Sequence, residues 1–275
     1  MDEHAVHRPF TCEAVVFDGG VEIDHGTRPP GGRHRPPMRR AVLVHGGMHG
    51  SWCWEQVLPH LVVEATALDL PGREGAGPWP DSLSGWADAI AGAARDSTDP
   101  ALLVAHSLGG LAALAALPRV HSHVAGILLV AAVVPASGQS YWDLVPKISR
   151  RIGRTQIDGR TQVLMPRPIA RLILCHDLSP SDSSRLLDRM TPESDSVLAT
   201  PVSYDIPNDI DVGYVRTLKD RVISPKKQRR YATSLPERTR HFQLDSGHSV
   251  TYARPKELAT IINTAAGGTG PYRCP

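Results

Sequence analysis

The sequence lacks the features that mark membrane-spanning and secreted proteins. No apolar run approaches the roughly 20 residues that a bilayer-spanning helix needs. The first residues, Met1 to His4, are acidic and no apolar segment follows them, so we expect no secretory signal, no membrane partner and a cytoplasmic location. The four cysteines form no Cys-x-x-Cys pair, which favours reduced thiols over disulfides. These cysteines are Cys12, Cys53, Cys175 and Cys274.

The sequence also lacks a large excess of charge of one sign. Thirty basic residues stand against 28 acidic ones, which gives a formal net charge of only +2. The densest basic cluster, Arg28 to Arg40, contains a Gly-Gly pair and four prolines but no aromatic platform. Such a composition is typical of a flexible linker and not of a nucleic-acid-binding surface. We therefore expect no nucleic-acid partner, and no pattern specifies an oligomeric state.

The 275 residues, 41% of them hydrophobic, suit one large α/β domain. Short apolar strands alternate with helical segments between residues 39 and 267, and this alternation predicts a mainly parallel sheet covered by helices. The predicted strands are 41–44, 62–68, 101–105, 124–134, 213–218 and 240–244. The predicted helices are 84–95 with Ser84 as its cap, a helix after Ser107 that Pro118 ends, 225–234, and one that begins near Pro255.

Three segments do not follow this alternation. Residues 1–38 form a partly flexible N-terminal extension, in which 14–17 and 21–23 predict a short pair of strands. Residues 136–205 predict a largely helical insertion, because Ser179 followed by Pro180 is a strong signal for a helix start. The last eight residues, 268–275, are expected to form a frayed tail.

The segment Ala105-His106-Ser107-Leu108-Gly109 contains the candidate nucleophile. It follows an apolar strand, begins an Ala/Leu-rich helix, and matches the Gly-x-Ser-x-Gly elbow with alanine in the first position. A serine on this sharp turn is exposed to substrate, and the residues two before and two after it must be small. Alanine meets that requirement. A serine hydroxyl is a weak nucleophile, however, so Ser107 needs a base, an orienting acid and donors for an oxyanion.

The base and the acid are sought in the order that this fold uses, which is serine, acid, histidine. His248 lies in a Ser-Gly-His-Ser loop after the last predicted strand, and Asp220 directly follows the strand at 213–218. Asp245 lies only three residues before His248 and is assigned a structural role. The His121-Ser-His123 spacing lacks the carboxylate or cysteine partners of a metal site, so no metal and no cofactor are expected.

Two backbone N–H groups are candidates for the oxyanion hole. One belongs to Leu108, directly after the nucleophile and at a helix N-terminus. The other belongs to Gly47, in the His45-Gly46-Gly47 turn that follows the first core strand. This turn lacks the Gly-Lys-Ser/Thr ending of a phosphate-binding loop. We interpret His45 as a positioning residue and His106 as a packed one.

Together these segments resemble the α/β-hydrolases grouped with plant methylesterases and hydroxynitrile lyases, over roughly residues 40–265. The resemblance implies that Ser107, Asp220 and His248 form a catalytic triad, that Gly47 and Leu108 form the oxyanion hole, and that residues 136–205 are a cap. Its implied pocket walls are Met48, Tyr141, Trp142 and Leu144. The motifs that carry it are Val44-His45-Gly46-Gly47-Met48-His49-Gly50-Ser51-Trp52-Cys53-Trp54, Asp69-Leu70-Pro71-Gly72, His106-Ser107-Leu108-Gly109-Gly110, Asp220 and Ser246-Gly247-His248.

The resemblance does not by itself choose the reaction. Hydroxynitrile lyases of this group usually carry threonine and lysine where this chain has Gly46 and Ser249, so hydrolysis of a small-molecule ester or acyl compound is the expected activity. Ser107 argues against relatives that use an aspartate nucleophile. Three alternatives stay open: a lyase or cofactor-free oxygenase, a thioesterase or acyltransferase in biosynthesis, and a non-hydrolytic small-molecule receptor.

Overall fold

The computed structural model describes residues 13–17, 20–22, 40–77 and 81–267. Its centre is an eight-stranded sheet of β1 (Glu13–Phe17), β2 (Gly20–Glu22), β3 (Arg40–Val44), β4 (Glu64–Leu68), β5 (Ala101–His106), β6 (Val124–Val130), β10 (Asp211–Thr217) and β11 (Arg240–Leu244). The strand order is β2-β1-β11-β10-β6-β5-β3-β4, and only the β1–β2 pair is antiparallel. The predicted mainly parallel sheet is therefore confirmed.

Helices cover both faces of this sheet. The helices of the described residues are α1 (Leu83–Arg95), α2 (Gly109–Val120), α3 (Arg167–Leu174), α4 (Pro180–Asp188), α5 (Asp195–Ala199), α6 (Pro225–Ser234), α7 (Val250–Ala253) and α8 (Pro255–Ala265), of which α3, α4 and α5 belong to the insertion. Strands β3 and β5 are buried along their whole length, and their successive side chains enter two different apolar clusters. One cluster contains α1 and α2, and the other contains α8. Burial on both faces explains why these strands are apolar without alternation.

Several predicted boundaries shift for identifiable reasons. Helix α1 is capped by Ser82, whose side chain accepts a hydrogen bond from the Gly85 backbone N–H, and not by Ser84. Helix α2 continues through Pro118 to Val120, so this proline lies in the last turn and does not end the helix. Strand β6 ends four residues before the predicted position because Ala131 adopts a φ of +43°.

The insertion between β6 and β10 contains α3, α4 and α5, as a largely helical segment predicts. It also contains a three-stranded antiparallel sheet of β7 (Arg154–Ile157), β8 (Arg160–Val163) and β9 (Glu193–Ser194), which the sequence analysis did not predict. The β7–β8 turn is Asp158-Gly159, and both residues have positive φ, as a two-residue hairpin turn of this type requires. Strand β7 is exposed and polar, so it carries no apolar strand signal.

The predicted strand pair in the N-terminal extension is present as β1 and β2. In addition, β1 pairs in parallel with β11, which places β1 and β2 at the edge of the main sheet. The Pro/Gly/Arg segment 28–39 and the tail 268–275 lie outside the described residues. Among the helices that are described, none is both long and apolar enough to cross a bilayer.

Candidate active site

Ser107 lies on a sharp turn between the end of β5 and the start of α2. Its φ is +51°, a left-handed conformation that is uncommon for a residue with a side chain. Gly109 makes this turn sterically feasible, since a Cβ atom at this position would lie 2.4 Å from the carbonyl oxygen of His45. The Ser107 N–H donates to the Val130 carbonyl of β6 at 3.0 Å. The turn is thus held by the ends of three neighbouring strands, β3, β5 and β6.

The three residues predicted as a triad come together in the structure. His248 Nε2 lies 2.8 Å from Ser107 Oγ, and His248 Nδ1 lies 2.7 Å from Asp220 Oδ2. All three residues are buried, with Ser107 the most accessible at 9% exposure. An ionised carboxylate can only accept hydrogen bonds, so Nδ1 carries the imidazole proton and Nε2 accepts from the serine hydroxyl.

Four further hydrogen bonds hold the Asp220 carboxylate. Its Oδ1 accepts from the backbone N–H groups of Val222 and Ile223 at 2.7 and 2.9 Å. Its Oδ2 accepts from the Thr217 hydroxyl at 2.9 Å and from Gln228 Nε2 at 2.8 Å. The pKa of Asp220 lies below its usual value: burial opposes this shift, but the adjacent histidine and the hydrogen bonds outweigh it.

Gln228 is a site residue that the sequence analysis did not identify. It is fully buried on α6, and its Nε2 donates to Thr217 Oγ1, Asp220 Oδ2 and the Ile223 carbonyl. Its Oε1 accepts from the Thr217 backbone N–H at 2.9 Å. A glutamine in a basic, otherwise polar helix has no distinguishing sequence signal, so only its position reveals that it fixes the orientation of Asp220.

The Gly46-Gly47 turn lies directly against the nucleophile, as predicted for an oxyanion hole. A Cβ atom at Gly46 would lie 2.9 Å from Ser107 Cβ, and one at Gly47 would lie 3.0 Å from Leu108 Cδ2. Within residues 40–77 and 81–267, neither the Gly47 nor the Leu108 backbone N–H donates to a protein acceptor. Two N–H groups close to one serine are therefore available to a ligand oxygen.

Three buried histidines surround the catalytic group and stay neutral near pH 7. Burial lowers the pKa of His49 to about 4 and that of His106 to about 3, and it also places the pKa of His45 well below the usual value. His45 Nε2 accepts from the Leu70 N–H at 3.1 Å, and His106 Nε2 lies 2.9 Å from the His248 carbonyl oxygen. These contacts fit the predicted positioning and packed roles.

Two acidic residues of the insertion also reach the site, and the sequence analysis missed both. Asp177 Oδ2 accepts from the Gly247 N–H at 2.5 Å, directly before His248 in the chain. Glu193 is fully buried and forms an ion pair with Arg73, with 2.6 Å between Oε2 and Nη2. Burial raises the pKa of Glu193, and the Arg73 guanidinium opposes that rise. Both acids lie in the insertion, where the sequence contains no recognisable motif that would identify them.

The four predicted pocket residues belong to one apolar cluster that also contains Leu108. Met48, Tyr141 and Leu144 are partly buried against this cluster, and Trp142 is buried within it. The Trp142 indole N–H donates to Asp195 Oδ1 at 2.9 Å. That bond joins Trp142 to α5, which gives this residue a structural contact inside the insertion.

The remaining candidates lie away from the site. Asp245 pairs with Lys219 on the surface at 2.6 Å, in agreement with its assigned structural role. His121 pairs with Asp209, also on the surface. Cys53 and Cys175 are buried free thiols, and the other two cysteines lie outside the described residues. In the part of the chain that the structure describes, no group of three or more potential ligand side chains could hold a metal ion.

Comparison with known proteins assigns the chain to a family. Residues 41–261 match the family described as the alpha/beta hydrolase family, and this range covers most of the chain. The chain belongs to the alpha/beta hydrolase family. Its relatives within that family include the probable esterase PIR7A of Oryza sativa subsp. indica, which is 33% identical over 192 residues, covering 66% of this chain and 69% of that protein. Methylesterase 7 of Arabidopsis thaliana is 25% identical over 249 residues, covering 82% and 95%.

Solved structures of other alpha/beta hydrolases share the fold. A pyrethroid hydrolase from Sphingobium faniae JZ-2 superposes with a TM-score of 0.70 at 21% identity, covering 85% of this chain and 99% of that chain. The predicted resemblance to plant methylesterases and the predicted alpha/beta-hydrolase fold are thereby confirmed. The expectation of an enzyme of the serine-hydrolase type is confirmed by the same relatives.

Proposed function

We propose that this alpha/beta hydrolase cleaves a carboxylic ester of a small molecule through a Ser107-His248-Asp220 triad and an acyl-enzyme intermediate. The observation that carries the proposal is the continuous chain of hydrogen bonds from Ser107 Oγ through the imidazole of His248 to Asp220, at 2.8 and 2.7 Å. These distances lie in the range that proton transfer from a serine to a histidine base requires. The esterase and methylesterase names of its relatives support an ester as the substrate class.

In the proposed mechanism, His248 Nε2 takes the Ser107 proton while Oγ bonds to the ester carbonyl carbon. The carbonyl oxygen becomes an oxyanion that accepts from the Gly47 and Leu108 N–H groups. When the tetrahedral intermediate collapses, the bond to the alcohol oxygen breaks and His248 returns the proton to that oxygen. Water then attacks the acyl-enzyme by the same route and releases the acid. Asp220 stays ionised throughout, as its lowered pKa favours.

The surroundings of His248 support hydrolysis over lyase chemistry. The residue directly after it is Ser249, a neutral and buried side chain. A departing cyanide ion would need a cation at such a position. The proposed small-molecule ester would lie next to Met48, Tyr141 and Leu144, which are partly buried apolar residues packed against the cluster that contains Leu108.

A fluorophosphonate probe tests the proposal. We expect covalent labelling of Ser107, a burst of 4-nitrophenol from 4-nitrophenyl acetate, and loss of both in Ser107→Ala. The matched control is Ser249→Ala, which removes a second buried serine hydroxyl beside His248 and should leave labelling intact. Well-folded wild-type protein without labelling would contradict the proposal, as would undiminished turnover by Ser107→Ala.

A further inference from the structure

Met48 is the residue that links the oxyanion turn to the insertion. It directly follows Gly47 and adopts a φ of +63°, a strained conformation for a residue with a side chain. Such a conformation persists only where the surroundings hold it. The preceding residue, Gly47, carries the N–H that the proposed mechanism uses, so the position of the Met48 backbone constrains the turn that carries this donor.

Residues of the insertion bind every hydrogen-bonding group of Met48. Its N–H donates to Glu193 Oε2 at 2.9 Å, its carbonyl accepts from the Thr191 N–H at 3.1 Å, and its sulfur accepts from the Met165 N–H at 3.3 Å. Of these three partners only Glu193 uses a side chain. The insertion therefore holds Met48 through three hydrogen bonds, and Glu193 is the contact that a substitution can remove.

Glu193 is itself rigidly placed. It lies on β9 in register with Val163 of β8, it is fully buried, and its Oε2 also accepts from Arg73 Nη2 at 2.6 Å. Arg73 Nε donates to the His49 carbonyl at 2.6 Å. The ion pair therefore binds both residues that follow Gly47, with Glu193 bound to Met48 and Arg73 bound to His49. Buried ion pairs are a weak source of stability but can fix one geometry over others.

We propose that Glu193 is a positioning residue that sets the oxyanion turn from the insertion. The carboxylate holds Met48 in its left-handed conformation, and this aims the Gly47 N–H at the developing oxyanion. The oxyanion hole is then complete only when the insertion lies in the position seen here. The inference rests on the proposed ester hydrolysis. It goes beyond that mechanism by giving a buried acid of the insertion a part in transition-state binding.

The role predicts a specific kinetic pattern. Glu193→Leu removes the acceptor and introduces an apolar side chain of similar size. We expect kcat to fall by about 10- to 100-fold with KM within about threefold, because the oxyanion turn is displaced while the pocket is unchanged. Glu193→Gln keeps an oxygen acceptor for Met48 and should retain kcat within about threefold. If Glu193→Leu does not fold, Glu193→Asp replaces it, since this variant keeps the charge but withdraws the carboxylate by one methylene.

The matched control is Glu55→Gln, which breaks the Glu55–Arg189 ion pair at 2.8 Å. That pair also joins the insertion to the core but does not touch Met48. Its loss should leave kcat unchanged.

Inhibitor affinities separate positioning from a purely structural role. An alkyl trifluoromethyl ketone forms an oxyanion adduct with Ser107, whereas the matching methyl ketone binds without one. We expect Glu193→Leu to lose trifluoromethyl ketone affinity by the same factor as kcat/KM and to bind the methyl ketone as the wild type does.

Three results would overturn the inference. The first is a folded Glu193→Leu or Glu193→Asp with wild-type kcat, the second is an effect on KM alone, and the third is equal loss of both ketones. A wild-type protein that neither labels nor turns over would instead contradict the proposed function, and the role of Glu193 with it.

Discussion

The hydrogen bond from Gln228 to Asp220 provides a sharp test of how the acid is held. Gln228→Glu changes almost no volume but places a second carboxyl oxygen about where Nε2 now lies, 2.8 Å from Asp220 Oδ2. At an effective dielectric constant of about 20, two unit charges at that separation repel by about 6 kcal/mol. This repulsion corresponds to about four pKa units, so the two carboxylates should share one proton up to about pH 8.

The sign of the effect on stability follows from proton linkage. In the unfolded chain, glutamate releases its proton near pH 4, whereas the folded pair of Gln228→Glu retains one proton well above that pH. The folded state then binds more protons than the unfolded state between about pH 4 and pH 8. The free energy of unfolding should therefore fall, relative to wild type, by about 1.4 kcal/mol per pH unit over this range.

Urea unfolding followed by tryptophan fluorescence at pH 5, 6, 7 and 8 measures this slope. Gln228→Leu is the control, because it removes the same hydrogen bonds without adding a titrating group. We expect it to lose roughly 3 kcal/mol at every pH, since it leaves buried polar partners unpaired. A Gln228→Glu variant whose stability changes with pH in parallel with the wild type would refute the reasoning.

Three further predictions follow from the site. Burial lowers the pKa of His49 to about 4 and of His106 to about 3, so the unfolded state binds more protons than the folded state below about pH 6.5, and the free energy of unfolding should decrease as the pH is lowered below that value. His106→Asn should reduce that slope by up to about 1.4 kcal/mol per pH unit in urea titrations between pH 4 and 6, and an unchanged slope would contradict the assigned shift. Asp177→Ala frees the Gly247 N–H beside His248 and should lower kcat by about tenfold at constant KM, whereas an effect on KM alone would argue for a pocket role. Gly109→Ala places a Cβ atom 2.4 Å from a backbone oxygen and should cost about 1–3 kcal/mol and slow fluorophosphonate labelling, so parent-like thermal stability and labelling would count against the geometry.

The centre of the main sheet could be predicted from the sequence because β3, β5, β6 and β10 are buried almost along their whole length. Strand β11 and helix α6 begin and end at the predicted residues, and the continuous apolar runs located β3 and β5. The boundaries that shifted depend on a single dihedral angle or hydrogen bond. The positive φ of Ala131 is one example, and the capping of α1 by Ser82 is another.

The insertion was harder to predict because its local signals are weak. The exposed, polar strand β7 lacks an apolar pattern, although the Asp158-Gly159 turn that follows it is a known hairpin signal. The two-residue strand β9 is too short for any pattern. The role of Glu193 becomes visible only through partners that are distant in sequence, such as Arg73, which is separated from it by 120 residues.

The residues of the candidate site likewise fall into a group that could be predicted from the sequence and a group that could not. Ser107, Asp220 and His248 each follow a predicted strand, and parallel strands bring their carboxyl ends to one edge, so sequence alone placed them together. Gln228 lies in α6, and the sequence of this helix is so polar that it does not show which polar residue faces Asp220. Contacts of this kind are set by how a helix is rotated against the sheet, and no local signal encodes that rotation.

The short strands β1 and β2 have a consequence for how the protein is handled. They cover the side of β11 that would otherwise present a row of unpaired backbone N–H and C=O groups. A shortened protein that starts at residue 40 would keep every residue of the candidate site yet expose β11 as a bare edge. Such a protein should self-associate by edge-to-edge strand pairing, and any loss of activity on shortening would then reflect aggregation and not chemistry.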